Sequence, residues 1–380
     1  MRIVNTPEQR ELQQAFRDLL ADRCPPELVR SLKQPDSDGF PAGLWEALRS
    51  FGVFGLAVDK EHGGEDASLY ELGLFFEEAG RALCPSVVYS TLAAAVACGR
   101  LGGAGHAGCL TELGTGELIG TTALWNPSDA GDLRPTLVAR PAGDGWSLHG
   151  VLSFVQNAEL ADVLLTTALT TGAGPERLMC FALRRPAAGW PARRLSSLAG
   201  DKQSHVTFSD FVVPAADVLA GRDGGSPSRD DLRWVANAAL ALQCMEMVGG
   251  AACVIEQTVA YLKIREQFGR PIASFQAAQH LVADMRIALD AARLCAAQAT
   301  WWISRGRTAT REVAIAKLHC SEAYKWITLN SHQLHGGMGY VRDTDLHLWS
   351  ERAKLTEVLG GSADTARGWL QRELGLAGVR

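Results

Sequence analysis

Two segments concentrate residues that could hold a phosphate-bearing cofactor. In the first, Arg265-Glu266-Gln267-Phe268-Gly269-Arg270-Pro271-Ile272 leads into Ser274-Phe275-Gln276. A basic helix end runs into a turn set by Gly269 and Pro271, and a new helix is expected to open at Ser274. Arg265 and Gln276 would there converge on an anion and an amide-bearing ring, although a capped helix–turn–helix joint explains the same residues. The second segment, Gln333-Leu334-His335-Gly336-Gly337-Met338-Gly339-Tyr340, ends a helix in three closely spaced glycines. Backbone N–H groups beside glycine admit a phosphate with no Cβ in the way, and the same residues serve equally well as a helix C-cap. A third segment, Gly103-Ala104-Gly105-His106-Ala107-Gly108, has the G-x-G-x-x-G spacing of a dinucleotide site. It follows an alanine-rich helix with no βαβ unit around it, and reads as a mobile inter-helix loop. His332 and His335 stand one helical turn apart, but no carboxylate or cysteine completes a metal site at a compatible spacing. No metal is expected.

The elements that must position these residues fall into three textures. Apolar residues recur at helical spacing from Glu8 to about Gly103, through Leu12, Phe16, Leu19 and Leu20, then Leu44 and Leu48, then Leu72, Phe75 and Phe76. Short β-branched or alternating runs follow, at 119–125, 135–140, 146–154, 163–169, 178–184 and 206–212, and read as an antiparallel β-domain. A polar linker at 221–228 precedes four long helical stretches, about 230–265, 275–306, 310–336 and 343–374, whose natural packing is a four-helix bundle. The expected division is 1–115, an N-terminal helical domain; 116–220, the β-domain; and 228–380, the bundle.

The 380 residues are 47% hydrophobic and 21% charged, enough to bury cores in two or three domains. A net charge of −5 argues against a nucleic-acid partner. No apolar run of membrane-spanning length is expected, Leu92 to Cys98 being far too short. Met1-Arg2-Ile3-Val4 leads into charged residues without the apolar core of a signal peptide. Nine cysteines without a Cys-x-x-Cys pair suit reduced thiols, hence a cytoplasmic protein.

Across nearly its whole length the chain resembles the acyl-CoA dehydrogenases. Pro41-Ala42-Gly43-Leu44-Trp45 through Gly63-Gly64 is similar to the family's N-terminal signature, Gly145 to Gly150 to its β-hairpin, and Val206 to Pro214 to the strand before its bundle. The Arg265–Gln276 and Gln333–Tyr340 segments are the most specific marks. The resemblance implies FAD bound between subunits of a tetramer. The ring would lie in one subunit's β-domain and the pyrophosphate on a neighbour's bundle. It implies that Arg265 and Phe268 contact the pyrophosphate half, that Gln276 and the backbone of Gln333, Leu334, His335, Gly336 and Gly337 complete the hold, and that Gln156 reaches the ring. It further implies an acyl-CoA substrate, α,β-desaturation by a glutamate base and hydride transfer to flavin, and an electron-transfer flavoprotein as acceptor.

Departures from the family pattern are equally informative. The base's usual place is Gly360, and the alternative place used by a minority of members is Ala239. Neither side chain can abstract a proton. On the ring side the usual Thr-Glu-Pro becomes Trp125-Asn126-Pro127, and the usual Trp-x-Thr becomes Phe154-Val155-Gln156. The groups lent to a neighbour's FAD are kept while those for the chain's own FAD are eroded. That asymmetry fits one subunit of an α2β2 heterotetramer with a paralogous chain, as in the sterol-degrading enzymes of actinobacteria. Alternatives are a self-sufficient enzyme with Glu246, two helical turns from Ala239, as base, and a scaffold subunit that binds no flavin.

Overall fold

The computed structural model describes residues 4–171, 176–221 and 226–376. Residues 1–3 of the N-terminal stretch and 222–225 of the expected linker lie outside the described residues. Helices, strands and helices follow one another in the expected order. The first helices are α1 (Pro7–Arg23), α2 (Pro26–Leu32), α3 (Ala42–Phe51), α4 (Leu69–Arg81), α5 (Ser86–Leu101) and α6 (Ala107–Gly114). Helix α1 starts at Pro7 because Thr6 and Gln9 form a capping box, each side chain accepting the other's backbone N–H at 3.2 and 3.0 Å.

Seven strands come next: β1 (Gly120–Ala123), β2 (Leu137–Ala142), β3 (Gly145–Gln156), β4 (Val163–Thr170), β5 (Leu178–Arg184), β6 (Ala192–Leu195) and β7 (Gln203–Val213). Strand β6, Ala-Arg-Arg-Leu, carries no strong strand pattern and was not expected. The sheet is mixed: β4 runs parallel to β1 along its first half and to β2 along its second, while β5 lies antiparallel on its other edge. Alternation of apolar residues reports which face is buried but not the direction of the neighbouring strand, so the expected antiparallel arrangement holds only for the β2–β3, β3–β7, β4–β5 and β6–β7 pairs.

The remaining elements are α7 (Arg229–Ile264), the two-residue strands β8 (Glu266–Gln267) and β9 (Arg270–Pro271), α8 (Gln276–Ser304), α9 (Thr310–His335), α10 (Leu346–Val358) and α11 (Ala363–Glu373). The fourth expected helix is thus two. Gly360 and Gly361 take φ of +72° and +120°, and Ser362 caps α11 by accepting from the Thr365 N–H. Helix α7 also corrects the expectation of no span-length apolar segment. It is long and apolar enough to cross a membrane, but 94% of its most apolar window is buried inside the protein. That is the pattern of a core helix.

The chain groups into two compact units that interleave in sequence: Met1–Val29, Leu69–Cys84 and Leu240–Arg380 form one, and Arg30–Ser68 with Pro85–Ala239 the other. In the helical unit, α4 crosses α7 at glycines on both sides. A Cβ on Gly80 would stand 1.9 Å from the Glu246 carbonyl oxygen, and one on Gly249 would stand 1.6 Å from that of Glu77. No other residue lets these backbones approach so closely. In the β-containing unit the sheet buries Leu148, Leu152, Phe181, Leu183, Val206 and Phe208 in one core, and β3 bulges against β7 between Leu152 and Val155.

Candidate cofactor-binding site

Helix α7 ends one residue before Arg265, and β8 and β9 close a hairpin whose two turn residues, Phe268 and Gly269, both have positive φ, +55° and +79°. A two-residue hairpin of this hand wants glycine or asparagine at both places, so Phe268 is held in a backbone conformation that costs an aromatic residue about 1 kcal/mol. Its ring is nonetheless 93% exposed, set edge-on to Phe275 with ring centroids 6.1 Å apart. Arg265 is exposed, and its guanidinium makes no hydrogen bond or ion pair among the described residues; its backbone alone is engaged, at both ends. Helix α8 begins at Gln276 rather than Ser274. The Ser274 hydroxyl donates to the Pro271 carbonyl (2.7 Å) instead of capping the helix, and Gln276 is exposed on the first turn.

The glycine turn meets this hairpin at one end of the bundle. Tyr261, one turn before Arg265, stacks on His335 with ring centroids 4.3 Å apart. Helix α9 ends at His335, and Gly336 (φ +59°) turns the chain into a 3-10 turn from Gly336 to Tyr340. Gln333 is exposed and Leu334 half-buried, while the His335 side chain is buried against Ser331 O (Nδ1, 2.7 Å) and kept below the usual imidazole pKa by burial. His335 can therefore offer a ligand its backbone only. A Cβ on Gly336 or Gly337 would meet open space, so internal packing does not demand glycine at 337; the room faces outward.

One residue that sequence reasoning gave no role holds this turn in place. His332 reaches the Gly339 carbonyl with Nδ1 (2.6 Å) and Ser350 Oγ with Nε2 (2.5 Å). A carbonyl only accepts, so Nδ1 carries the proton in the neutral ring and Ser350 donates to Nε2. Both nitrogens are thereby occupied by non-metal partners.

The positions where a proton-abstracting base would sit look different. Gly360 is buried in the α10–α11 joint, and Ala239 is buried with its carbonyl accepting from the Tyr89 hydroxyl (2.6 Å). Glu246 is buried, but Arg352 of α10 donates to its Oε1 from Nε (2.6 Å) and Nη2 (2.5 Å). Glu357 is taken by Lys325 (2.5 Å) and Lys354 (2.7 Å). Burial alone would raise its pKa, but these two lysines hold it below the usual carboxylate range. Asp364 is paired with Arg367.

Lys317 was also missed. It is 0% exposed, and its ammonium donates to Gln243 Oε1 (2.9 Å) and to the carbonyls of Thr356 (2.5 Å) and Leu359 (2.8 Å), so it ties the end of α10 to α7. Its phase was a usable signal: 313, 317, 320 and 324 lie on one stripe of α9, and the other three are Val, Cys and Tyr.

In the β-containing unit, Gln156 is half-buried at the end of β3, its carbonyl accepting from the Thr121 hydroxyl (2.6 Å). Phe154 sits on the β3 bulge at φ +56° with its ring 46% exposed beside His205. Trp125 and Asn126 lead into a run of turns in which Asn126, Asp129 and Asp132 side chains each accept a backbone N–H two residues on.

Residues 6–107 match the model of the acyl-CoA dehydrogenase N-terminal domain and 236–375 that of the acyl-CoA dehydrogenase C-terminal domain. The probable acyl-CoA dehydrogenase YngJ of Bacillus subtilis is 30% identical over 386 residues, covering 95% of this chain and 97% of that one. Among solved structures, a variant of the Tcur3481–Tcur3483 steroid ACAD superposes with a TM-score of 0.86 at 28% identity (97% and 98% of the two chains). The ChsE4–ChsE5 complex from Mycobacterium tuberculosis does so at 0.86 and 26% (99% and 99%).

Proposed function

Because the chain belongs to the acyl-CoA dehydrogenase family, we propose that it is the base-lacking subunit of a heteromeric acyl-CoA dehydrogenase, lending the phosphate-binding half of an FAD site to a paralogous chain. The family is one of FAD-linked oxidoreductases acting on CH–CH groups of acyl-CoA, and this chain is of that type. One observation carries the reading. Phe268 is strained and almost wholly exposed next to an unpaired Arg265, while Glu246 is paired with Arg352 and Glu357 with Lys325 inside the helical unit.

The donor set fits FAD at its phosphate end. A free guanidinium suits a diphosphate, the amides beside Gly336 and Gly337 suit its oxygens, and Phe268 offers an exposed apolar face. When bound, the flavin supplies the hydride acceptor for desaturation. The chain's own part is to bind and orient: Arg265 holds charge, Gln276 and Gln333 offer amides, and His332 fixes the turn through Gly339. Proton abstraction falls to the partner in this reading, since Arg352 already occupies the Glu246 carboxylate.

The substrate class within acyl-CoA thioesters is read as bulky and steroid-derived, supported by the likeness to a steroid ACAD at 28% identity. Nine free thiols support a cytoplasmic setting, and an electron-transfer flavoprotein is the acceptor this reading adopts.

Co-expression with a candidate paralogue tests the proposal: the complex should carry one FAD per pair of chains and dehydrogenate acyl-CoA. Full flavin loading and turnover by this chain alone would sink it. Within the complex, Arg265→Met should weaken FAD binding about 10–150-fold, the loss of a charge-assisted hydrogen bond of roughly 1.5–3 kcal/mol, read by fluorescence titration. His332→Ala should weaken it too, and His332→Asn, which keeps a donor for the Gly339 carbonyl, should restore it. Unchanged affinity in Arg265→Met would mean the clasp lies elsewhere.

A further inference from the structure

The glycine pattern that fails as a dinucleotide motif lines a cavity in the β-containing unit. Gly105 and His106, just before α6, and Gly108 and Cys109, in its first turn, face Arg184 of β5 and Asp217 around a space of about 260 Å³. A Cβ on Gly105 or Gly108 would meet nothing, so the mouth on that side is unobstructed. His106 is 8% exposed; its Nδ1 faces the Gly102 carbonyl at 3.2 Å, and its Nε2 is buried with no hydrogen-bond partner. The Ala216 carbonyl also faces this ring; with the proton on Nδ1, Nε2 is left as an acceptor that a small hydroxyl or hydroperoxide entering the cavity would satisfy.

Cys109 is the third residue of α6, where backbone N–H groups have no partner inside the helix and His106 supplies no side-chain cap. The start of a helix favours a thiolate. The Arg184 guanidinium, held at 2.7 Å by Glu112, adds positive charge at the same cavity. Cys98 of α5 lies behind Cys109, near enough for the two thiols to influence each other's titration. The neighbouring Cys98 thiol, followed by the Arg184 charge, outweighs burial and the opposing carboxylates of Glu112 and Asp217 and holds the Cys109 thiol below its usual range, while the same neighbour and burial push Cys98 up. Cys253 and Cys295 are the two more accessible cysteines, and burial pushes both up, Cys253 to about 11. Accessibility and chemistry therefore single out different residues.

We propose that Cys109 is a thiol-modification site for small electrophiles and hydroperoxides, with Cys98 as its resolving thiol. With hydrogen peroxide, the Cys109 sulfur attacks one oxygen. An S–O bond forms and the O–O bond breaks. The departing hydroxide takes the thiol proton and leaves as water. Sulfur is oxidised by two electrons and the peroxide reduced by two. Cys98 then attacks the sulfenic sulfur: the S–S bond forms, the S–O bond breaks, and a second water leaves with the Cys98 proton. The proposal is independent of the heteromeric reading and survives its failure.

Limiting iodoacetamide on the native protein, followed by peptide mass mapping, tests it. Cys109 should label at least about tenfold faster than Cys253 or Cys295, since each pKa unit changes the thiolate fraction tenfold. Under hydrogen peroxide the mapped product should be a Cys98–Cys109 disulfide. In Cys98→Ser the Cys109 sulfenic acid should instead be trapped by dimedone. Faster labelling of Cys253 or Cys295, or an unreacted Cys109 in the folded chain, would overturn the assignment.

Discussion

Arg352→Met is expected to destabilise the chain by about 3–5 kcal/mol, because it removes the ion-pair partner of a buried carboxylate. Glu246 and Arg352 have side chains only 7% and 13% exposed, and the guanidinium grips a single carboxylate oxygen through two nitrogens. Removing the arginine takes away the cation that contacts this carboxylate in the helical unit, where the buried ring of Tyr324 and the Lys317 ammonium remain within electrostatic reach. Urea denaturation of the two proteins measures the difference. Changing both partners to methionine should recover most of the loss, since a well-packed apolar pair is often no worse than a buried ion pair. A cost under about 1 kcal/mol for the single change would place the pair in the class of solvent-screened bridges instead. The same pair decides the chemistry of Glu246: Glu246→Gln, which still accepts from Arg352, should leave turnover per bound flavin unchanged. A collapse of turnover would restore Glu246 as the base.

The second large effect is a pH dependence from Lys317. Burial lowers its pKa from 10.5 to about 8, even though three acceptors surround the ammonium. Between those values the unfolded chain holds more protons than the folded one, so stability rises with pH across this window. The penalty for burying the charge is fully present below pH 8 and is gone above 10.5. The shift of 10.5 − 8, or 2.5 units, amounts to about 3 kcal/mol over the window. Lys317→Met removes this titration. The difference in unfolding free energy between wild type and variant, measured from pH 7 to 10.5, should therefore climb with pH in favour of the wild type. Cysteines and tyrosines that do not interact with Lys317 cancel in the difference, whereas Cys320, which does, contributes a smaller change of its own. Parallel curves for the two proteins would show that the lysine keeps its ordinary pKa.

Local pattern carried the element order and the two turns proposed to hold the phosphates. Arg265, Gly269 and Pro271, and the glycines after His335, lie within short segments whose turn chemistry is set by neighbours in sequence, and the spacing of apolar residues follows the helix period whatever the partner helix is. The same locality explains the shortfalls. Strand direction depends on which strand pairs beside it, so the parallel β1–β4 and β2–β4 ladders were invisible in the alternation. The extent of α7 was legible in the sequence, but its span-length apolar window was not, because small and polar residues interrupt it.

Which residue types stand at the base positions was likewise determined by sequence alone: Gly360 and Ala239 carry no carboxylate in any fold. Only tertiary structure decided what the remaining carboxylates can do. Glu246 and Arg352 are 106 residues apart, and Lys317 meets its acceptors across 74, 39 and 42 residues. Charge pairing and desolvation are set by distance and burial in space, which depend on how α7, α9 and α10 pack. No pattern along the chain encodes that packing locally.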